Sequence, residues 1–189
     1  MGDKTRIRFQ SPADVRGTGL LSLEVPGGDE EQWLYLPAFK KTRRIGQSEL
    51  GERFVGTDFF YEDMKRRQVD EYQHTILGSE ALDGHDCWQV ESIATAPLVV
   101  KETPYGKTHQ WLRKDTLAIV RLRFFDKKLA PLKQVDFSKL VAVSKTAWRA
   151  DLVTVVDLKR KHRTVVTVTE REVKDTAPDV FTPRQLEAE

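Results

Sequence analysis

With one cysteine, Cys87, in 189 residues, the chain can form no internal disulfide, and cysteine chemistry leaves its compartment undecided. No stretch approaches the roughly 18 consecutive apolar residues of a spanning helix. Long helical periods are nearly missing as well. G-x-S-x-G, G-x-G-x-x-G and phosphate-loop patterns do not occur. An excess of one charge is also lacking: 31 Lys and Arg stand against 29 Asp and Glu, a net charge of +2. That balance gives no global field for nucleic acid, so electrostatic recognition must be local. The opening "MGDKTRIRF" has neither an apolar run behind a charged start nor a small-residue cleavage site. With a Met-Gly start directly before a strand pattern, the expectation is that an export signal has been removed.

What is present is period two. At 39% hydrophobic and 32% charged, the chain is a charge-rich globular protein, long enough for one sizeable core and short for two. Residues 5–10 read as a strand and "SPADVRGTG" as a loop. "LLSLEV" and "QWLYL" flank the turn "PGGD", which predicts a hairpin. "KKTRRI" follows as a short basic edge. Further strands are predicted around the Asp83-Gly84 turn, with Trp88, Val90 and Ser92 on one face and Cys87, Gln89 and Glu91 on the other. The turns "RKDT" and "KRKH" join later strands. About ten strands with short connections make the class mostly antiparallel β, so the sheet must close into a barrel or be covered on a face. The one helical signal starts at Phe59, with Asp58 as its cap.

Each candidate for chemistry has a structural explanation beside it. His74, His85, His109 and His162 lack the spacing of a metal site on one element. Cys87 beside Trp88 reads as a small buried hydrophobe. Asp58, Glu62 and Asp63 could form an acid/base pair, but helix capping and the helix dipole account for all three. The cluster Lys40, Lys41, Arg43 and Arg44 admits three uses: phosphate contacts beside stacking Trp33, Tyr35 and Phe39, a rim for anionic head groups, or protection of a sheet edge. Phe54, Phe59, Phe60, Tyr61 and Met64 are too apolar for a solvated loop. They pack as core or line a pocket under a lid.

"RFQSPADVRGTGLLSLE", "QWLYLPAFKKTRRI", "SELGERFVGTDFFYEDM" and "DVFTPRQLE", in that order, resemble the outer-membrane lipoprotein-sorting protein family of the LolA-like superfamily, over about residues 6–186. The resemblance implies a half-open antiparallel β-barrel with a helical lid segment. It implies an exported, periplasmic protein whose N-terminal signal, helix and first strands precede this chain, so that residues 1–189 are a single β domain. It also implies a non-catalytic carrier of a lipid or lipoprotein acyl chain, with no cofactor and no metal. An RND-type transporter is an implied partner, and an adaptor for that transporter without lipid cargo is the alternative. A lipid hydrolase using Asp58, Glu62, Asp63 or a histidine is a third reading.

On the carrier reading, Leu21, Leu23, Trp33, Tyr35, Phe54, Phe59, Phe60, Tyr61, Trp88 and Trp111 line the cavity, with Lys40, Lys41, Arg43 and Arg44 as its rim. Period two lets only one of the pairs Trp33/Tyr35 and Leu34/Leu36 face the interior.

Overall fold

The structure, a computed structural model, describes residues 3–25 and 30–188. Two compact units are formed: Met1–Val55 with Tyr61–Arg66 and Glu172–Glu189, and Gly56–Phe60 with Arg67–Arg171.

The first unit is built on a four-stranded antiparallel sheet in the order β1 (Lys4–Arg8), β2 (Gly19–Leu23), β3 (Glu31–Leu36) and β4 (Lys41–Arg44). β2 and β3 pair as the expected hairpin; its predicted turn, Pro26–Asp29, lies outside the described residues. Leu21 opposes Trp33 and Gly19 opposes Tyr35, which puts both aromatics on one face. There Leu21, Tyr35 and Leu186 form a buried core, with Leu23, Trp33 and Phe181 against it. Leu34 alternates to the other face and is buried too. The expected choice between Trp33/Tyr35 and Leu34/Leu36 is therefore not exclusive. Leu186 of a short C-terminal helix covers the first face. On the other, Gln32, two residues before Leu34, donates from Nε2 to the Tyr61 carbonyl at 3.0 Å.

The helical segment expected at Phe59 is a single 3-10 turn at Tyr61–Met64. Asp58 is not its cap, because the Asp58 carboxylate is engaged elsewhere. Phe9, Phe54 and Tyr61 pack in series, tilted and edge-on, with centroids 5.5 and 5.8 Å apart. Burial pushes the Tyr61 hydroxyl pKa up.

The second unit is one seven-stranded antiparallel sheet. Its strands are β5 (Tyr72–Leu82), β6 (His85–Ala94), β7 (Tyr105–Arg113), β8 (Ile119–Asp126), β9 (Pro131–Ala142), β10 (Trp148–Asp157) and β11 (His162–Thr167), each paired with its sequence neighbour. The order runs from β11 to β5 without closing, so the sheet is open, in keeping with the half-open barrel expected. Helix α1 (Pro97–Glu102) links β6 to β7, with proline at its start, where the missing N–H costs nothing. At the predicted Asp83-Gly84 turn both residues have positive φ, 49° and 78°, as a tight hairpin needs. A Cβ on Gly106 would lie 2.5 Å from the Asp126 carbonyl oxygen, so β7 and β8 meet that closely only over a glycine. Among the described residues no helix is long and apolar enough to cross a membrane.

Candidate functional site

Register assigns the two faces of the seven-stranded sheet. Val90 opposes Gln110, which opposes Leu122, which opposes Val135, which opposes Val155. Trp88 opposes Leu112, and Ser92 opposes His74 and Thr108. These residues share one face. The other face carries Glu91, His109 and Arg123 in register. It is polar: Lys107 and His109 meet Glu91 at 2.8 and 3.0 Å, and Arg121 pairs with Asp136. The Lys107 ammonium and His109 beside Glu91 hold its carboxyl below the usual carboxylate range.

One end of the apolar face is filled. Phe60, Tyr105, Phe124, Val135 and Val155 form a buried core, with Phe59, Leu122 and Phe137 packed on it. Phe60 stacks on Tyr105 with its plane 5° from parallel. Lys133 is fully buried there, its Nζ 3.9 Å from the Phe60 ring centroid and directly across the β9–β10 pair from buried Asp157. A buried cation held by ring faces and a neighbouring carboxylate is tolerable where an isolated one is not.

Asp58, 1% exposed, fixes the segment that carries these rings. Its carboxylate accepts from His162 Nδ1 at 2.8 Å and from the Thr164 hydroxyl at 2.7 Å, and its backbone N–H donates to Thr164 Oγ1. Gly56–Phe60 is thereby clasped to edge strand β11.

The other end of the same face is open. A cleft of about 400 Å³ lies over β5–β8, walled by Tyr72, Val90, Leu112, Ile119 and Leu122, with Arg67, Gln68 and Val69 on the loop beside them. This is the size and apolar character of small-molecule sites. Its polar groups form one chain. Gln110 Nε2 donates to Ser92 Oγ at 2.6 Å, Ser92 meets His74 Nδ1 at 2.8 Å, and His74 Nε2 meets the Val69 carbonyl at 3.1 Å. Donors and acceptors balance when His74 is neutral with its proton on Nε2. The chain pins Val69 to the sheet and leaves the walls apolar.

A second, polar groove of about 760 Å³ lies in the first unit, among Arg8, Gln10, Arg16, Tyr35 and Pro37.

The ten cavity residues expected from sequence fall in four places. Leu21, Leu23, Trp33, Tyr35, Phe54 and Tyr61 pack within the first unit. Phe59 and Phe60 fill the closed end of the seven-stranded sheet. Trp88 shares the cleft's face but is 39% exposed beyond its walls, with Lys114 Nζ 4.3 Å from its ring. Register puts Trp111 opposite Gln89 on the polar face, its Nε1 donating to Glu80 at 2.8 Å. None of the ten lines the cleft. Val90 and Ser92 do, on the face that strand alternation assigns them beside Trp88. Arg67, Gln110, Leu112 and Leu122 have no counterpart in the sequence reading, where His74 stands only among the histidines that lack metal-site spacing.

The basic cluster lies at edge strand β4, where Arg43 pairs with Glu49 and Arg44 with Glu31. Cys87 is fully buried, and burial pushes its thiol pKa up, away from nucleophilic use. Asp58 and His162 meet as the hydrolase reading requires, but neither lines the cleft. Among the described residues no group of three or more His, Cys, Asp or Glu is placed to hold a metal ion.

Solved structures share this fold. An outer-membrane lipoprotein-sorting protein domain, as its description reads, from Vibrio parahaemolyticus matches with a TM-score of 0.90 and 29% identity, over 98% of this chain and 78% of that one. A DUF1329 family protein from Desulfovibrio piger gives 0.83 and 29%, over 98% and 77%. A LolA superfamily protein from Nitrosomonas europaea gives 0.71 and 18%, over 95% and 76%, a likeness of fold. The class is thus the mostly-β, LolA-like one, with outer-membrane lipoprotein-sorting and DUF1329 proteins as neighbours. A family model with the description "Uncharacterized protein" matches residues 2–188, and the chain belongs to that family. No curated protein matches.

Proposed function

We propose that this protein is a non-catalytic periplasmic carrier that holds an acyl chain of a lipid or lipoprotein in the cleft over β5–β8. The observation that carries the reading is a cleft of about 400 Å³ with almost wholly apolar walls, on the face of a LolA-like sheet whose other end is packed solid. An acyl chain in such a cleft is stabilised by about 0.8 kcal/mol per buried CH₂, so the walls supply affinity without catalytic groups. The volume suits one chain. Trp88, on the same face beyond the walls, extends the apolar track. The lipoprotein-sorting description of the Vibrio domain supports a role in transport toward the outer membrane.

Lys40, Lys41, Arg43 and Arg44 on and beside β4 serve as the contact for an acidic partner, for which an RND-type transporter is the candidate. Arg43 and Arg44 already have carboxylates beside them, which leaves Lys40 and Lys41 to supply most of the attraction.

The test is purification of the protein from a bacterial periplasm, followed by lipid extraction and native mass spectrometry. Stoichiometric lipid is expected, with displacement by an added fluorescent fatty acid. A lipid-free protein that also fails to bind the fatty acid would overturn the carrier reading.

A further inference from the structure

We infer that the cargo carries an anionic head group, carboxylate or phosphate, which Arg67 receives at the wall of the apolar cleft; the inference rests on the carrier reading. Arg67 is the one Lys, Arg, Asp or Glu among the described residues that line the cleft. Its guanidinium lies 5.1–5.5 Å from the ring centroids of Tyr72, Tyr105 and Phe124. A single hydrogen bond, from its Nη1 to the Thr108 hydroxyl at 3.1 Å, fixes it further. Among the described residues no carboxylate forms an ion pair with it.

That combination is unusual within this chain. Other part-buried arginines of the same sheet have acceptors for their forks: Arg113 has Asp115, Arg121 has Asp136, and Arg123 has Gln134. Arg67 is held against the faces of Tyr72, Tyr105 and Phe124, which offset its charge without taking up its N–H donors. The N–H donors of a guanidinium point outward in its own plane, and among the described residues one of Arg67's five is used. A planar fork with free donors, oriented by rings at the edge of an apolar cleft, matches a carboxylate or phosphate bidentately. The low-polarity surroundings strengthen that contact relative to one on open surface.

Buried Lys133 does not compete for the role. It sits in the closed end of the face, covered by Phe60 and across from Asp157. The arrangement therefore separates two tasks. Val90, Leu112 and Leu122 take the tail without regard to its head, and Arg67 selects which head accompanies it.

The experiment compares cis-parinaric acid, a fluorescent fatty acid, with its methyl ester, titrated at pH 8 into wild-type protein and into Arg67→Gln and Arg67→Lys. The wild type is expected to bind the acid at least tenfold more tightly than the ester. In Arg67→Gln the acid should weaken at least tenfold more than the ester does. Arg67→Lys, which keeps the charge and loses the fork, should fall between. Competition by laurate against dodecyl phosphate then tells which head is preferred.

Equal binding of acid and ester by the wild type overturns the anion inference and leaves the carrier reading standing. So does an acid-to-ester ratio that Arg67→Gln does not change. Binding of neither probe overturns both. The wild-type ratio decides even if the Arg67 variants unfold.

Discussion

The two ends of one sheet face make the instructive comparison. Over β8–β10, Phe60 and Tyr105 stack on Phe124, Val135 and Val155, and even a lysine is sealed beneath them. Over β5–β8, the same face presents Val90, Leu112, Ile119 and Leu122, residues of the same apolar kind, to a cleft. Strand composition does not separate the two ends. The difference lies in what each end receives from outside the sheet. Gly56–Phe60 delivers two phenylalanines to the first, held by the Asp58 clasp to β11. The loop at Arg67–Val69 delivers to the second a guanidinium and a backbone carbonyl pinned by His74. A plug makes core and a polar strap leaves a cleft.

The largest break in this comparison comes from Phe60→Ala. Removing a buried ring that covers Lys133 should cost about 3–5 kcal/mol in urea unfolding; a cost below about 1 kcal/mol would mean that Phe60 is not the plug. Next is Asp58→Ala. It leaves His162 and Thr164 without their acceptor and unfastens the plug, at about 1–3 kcal/mol, with faster amide exchange expected across 56–60. Unchanged exchange there would contradict the clasp.

At the open end, Val90→Glu should leave stability nearly unchanged and weaken acyl binding at least tenfold, about 1.4 kcal/mol, in a fluorescent fatty-acid titration. Undiminished binding would move the site away from the cleft.

The smallest effect concerns the polar face. The Glu91 carboxyl has its pKa lowered by Lys107 and His109. Its contribution to stability is therefore fully present above the ordinary carboxylate range and is lost as the pH falls through its lowered folded-state value. Glu91→Gln should cost no more than about 1 kcal/mol at neutral pH and nothing below that value. An equal cost at both pH values would show that packing, not charge, is at stake.

Much of the frame was legible because strands and turns are written locally. The Asp83-Gly84 turn, the "KRKH" turn before β11 and the basic edge strand all depend on a few adjacent residues. The mostly-β class follows from the same alternation. Asp58 was misread because a cap is a local feature, whereas its partners His162 and Thr164 lie 104 and 106 residues away. The face on which Trp111 lies was not legible for a related reason. Alternation fixes which residues share a face of one strand, but the phase between β6 and β7 is set by their pairing, in which Trp111 opposes Gln89 and Leu112 opposes Trp88. Arg67 was hidden in "MKRRQ", where three consecutive cations look alike. Its distinction comes wholly from the rings that gather around it.

The central claim is that an acyl chain occupies the cleft over β5–β8. Native mass spectrometry with added palmitate, on wild type beside a cleft-filling Val90→Trp, addresses it most directly. The account predicts a one-to-one adduct in the wild type and its loss in a variant that remains folded by circular dichroism. An adduct of equal abundance in both proteins would place the lipid elsewhere and contradict the account.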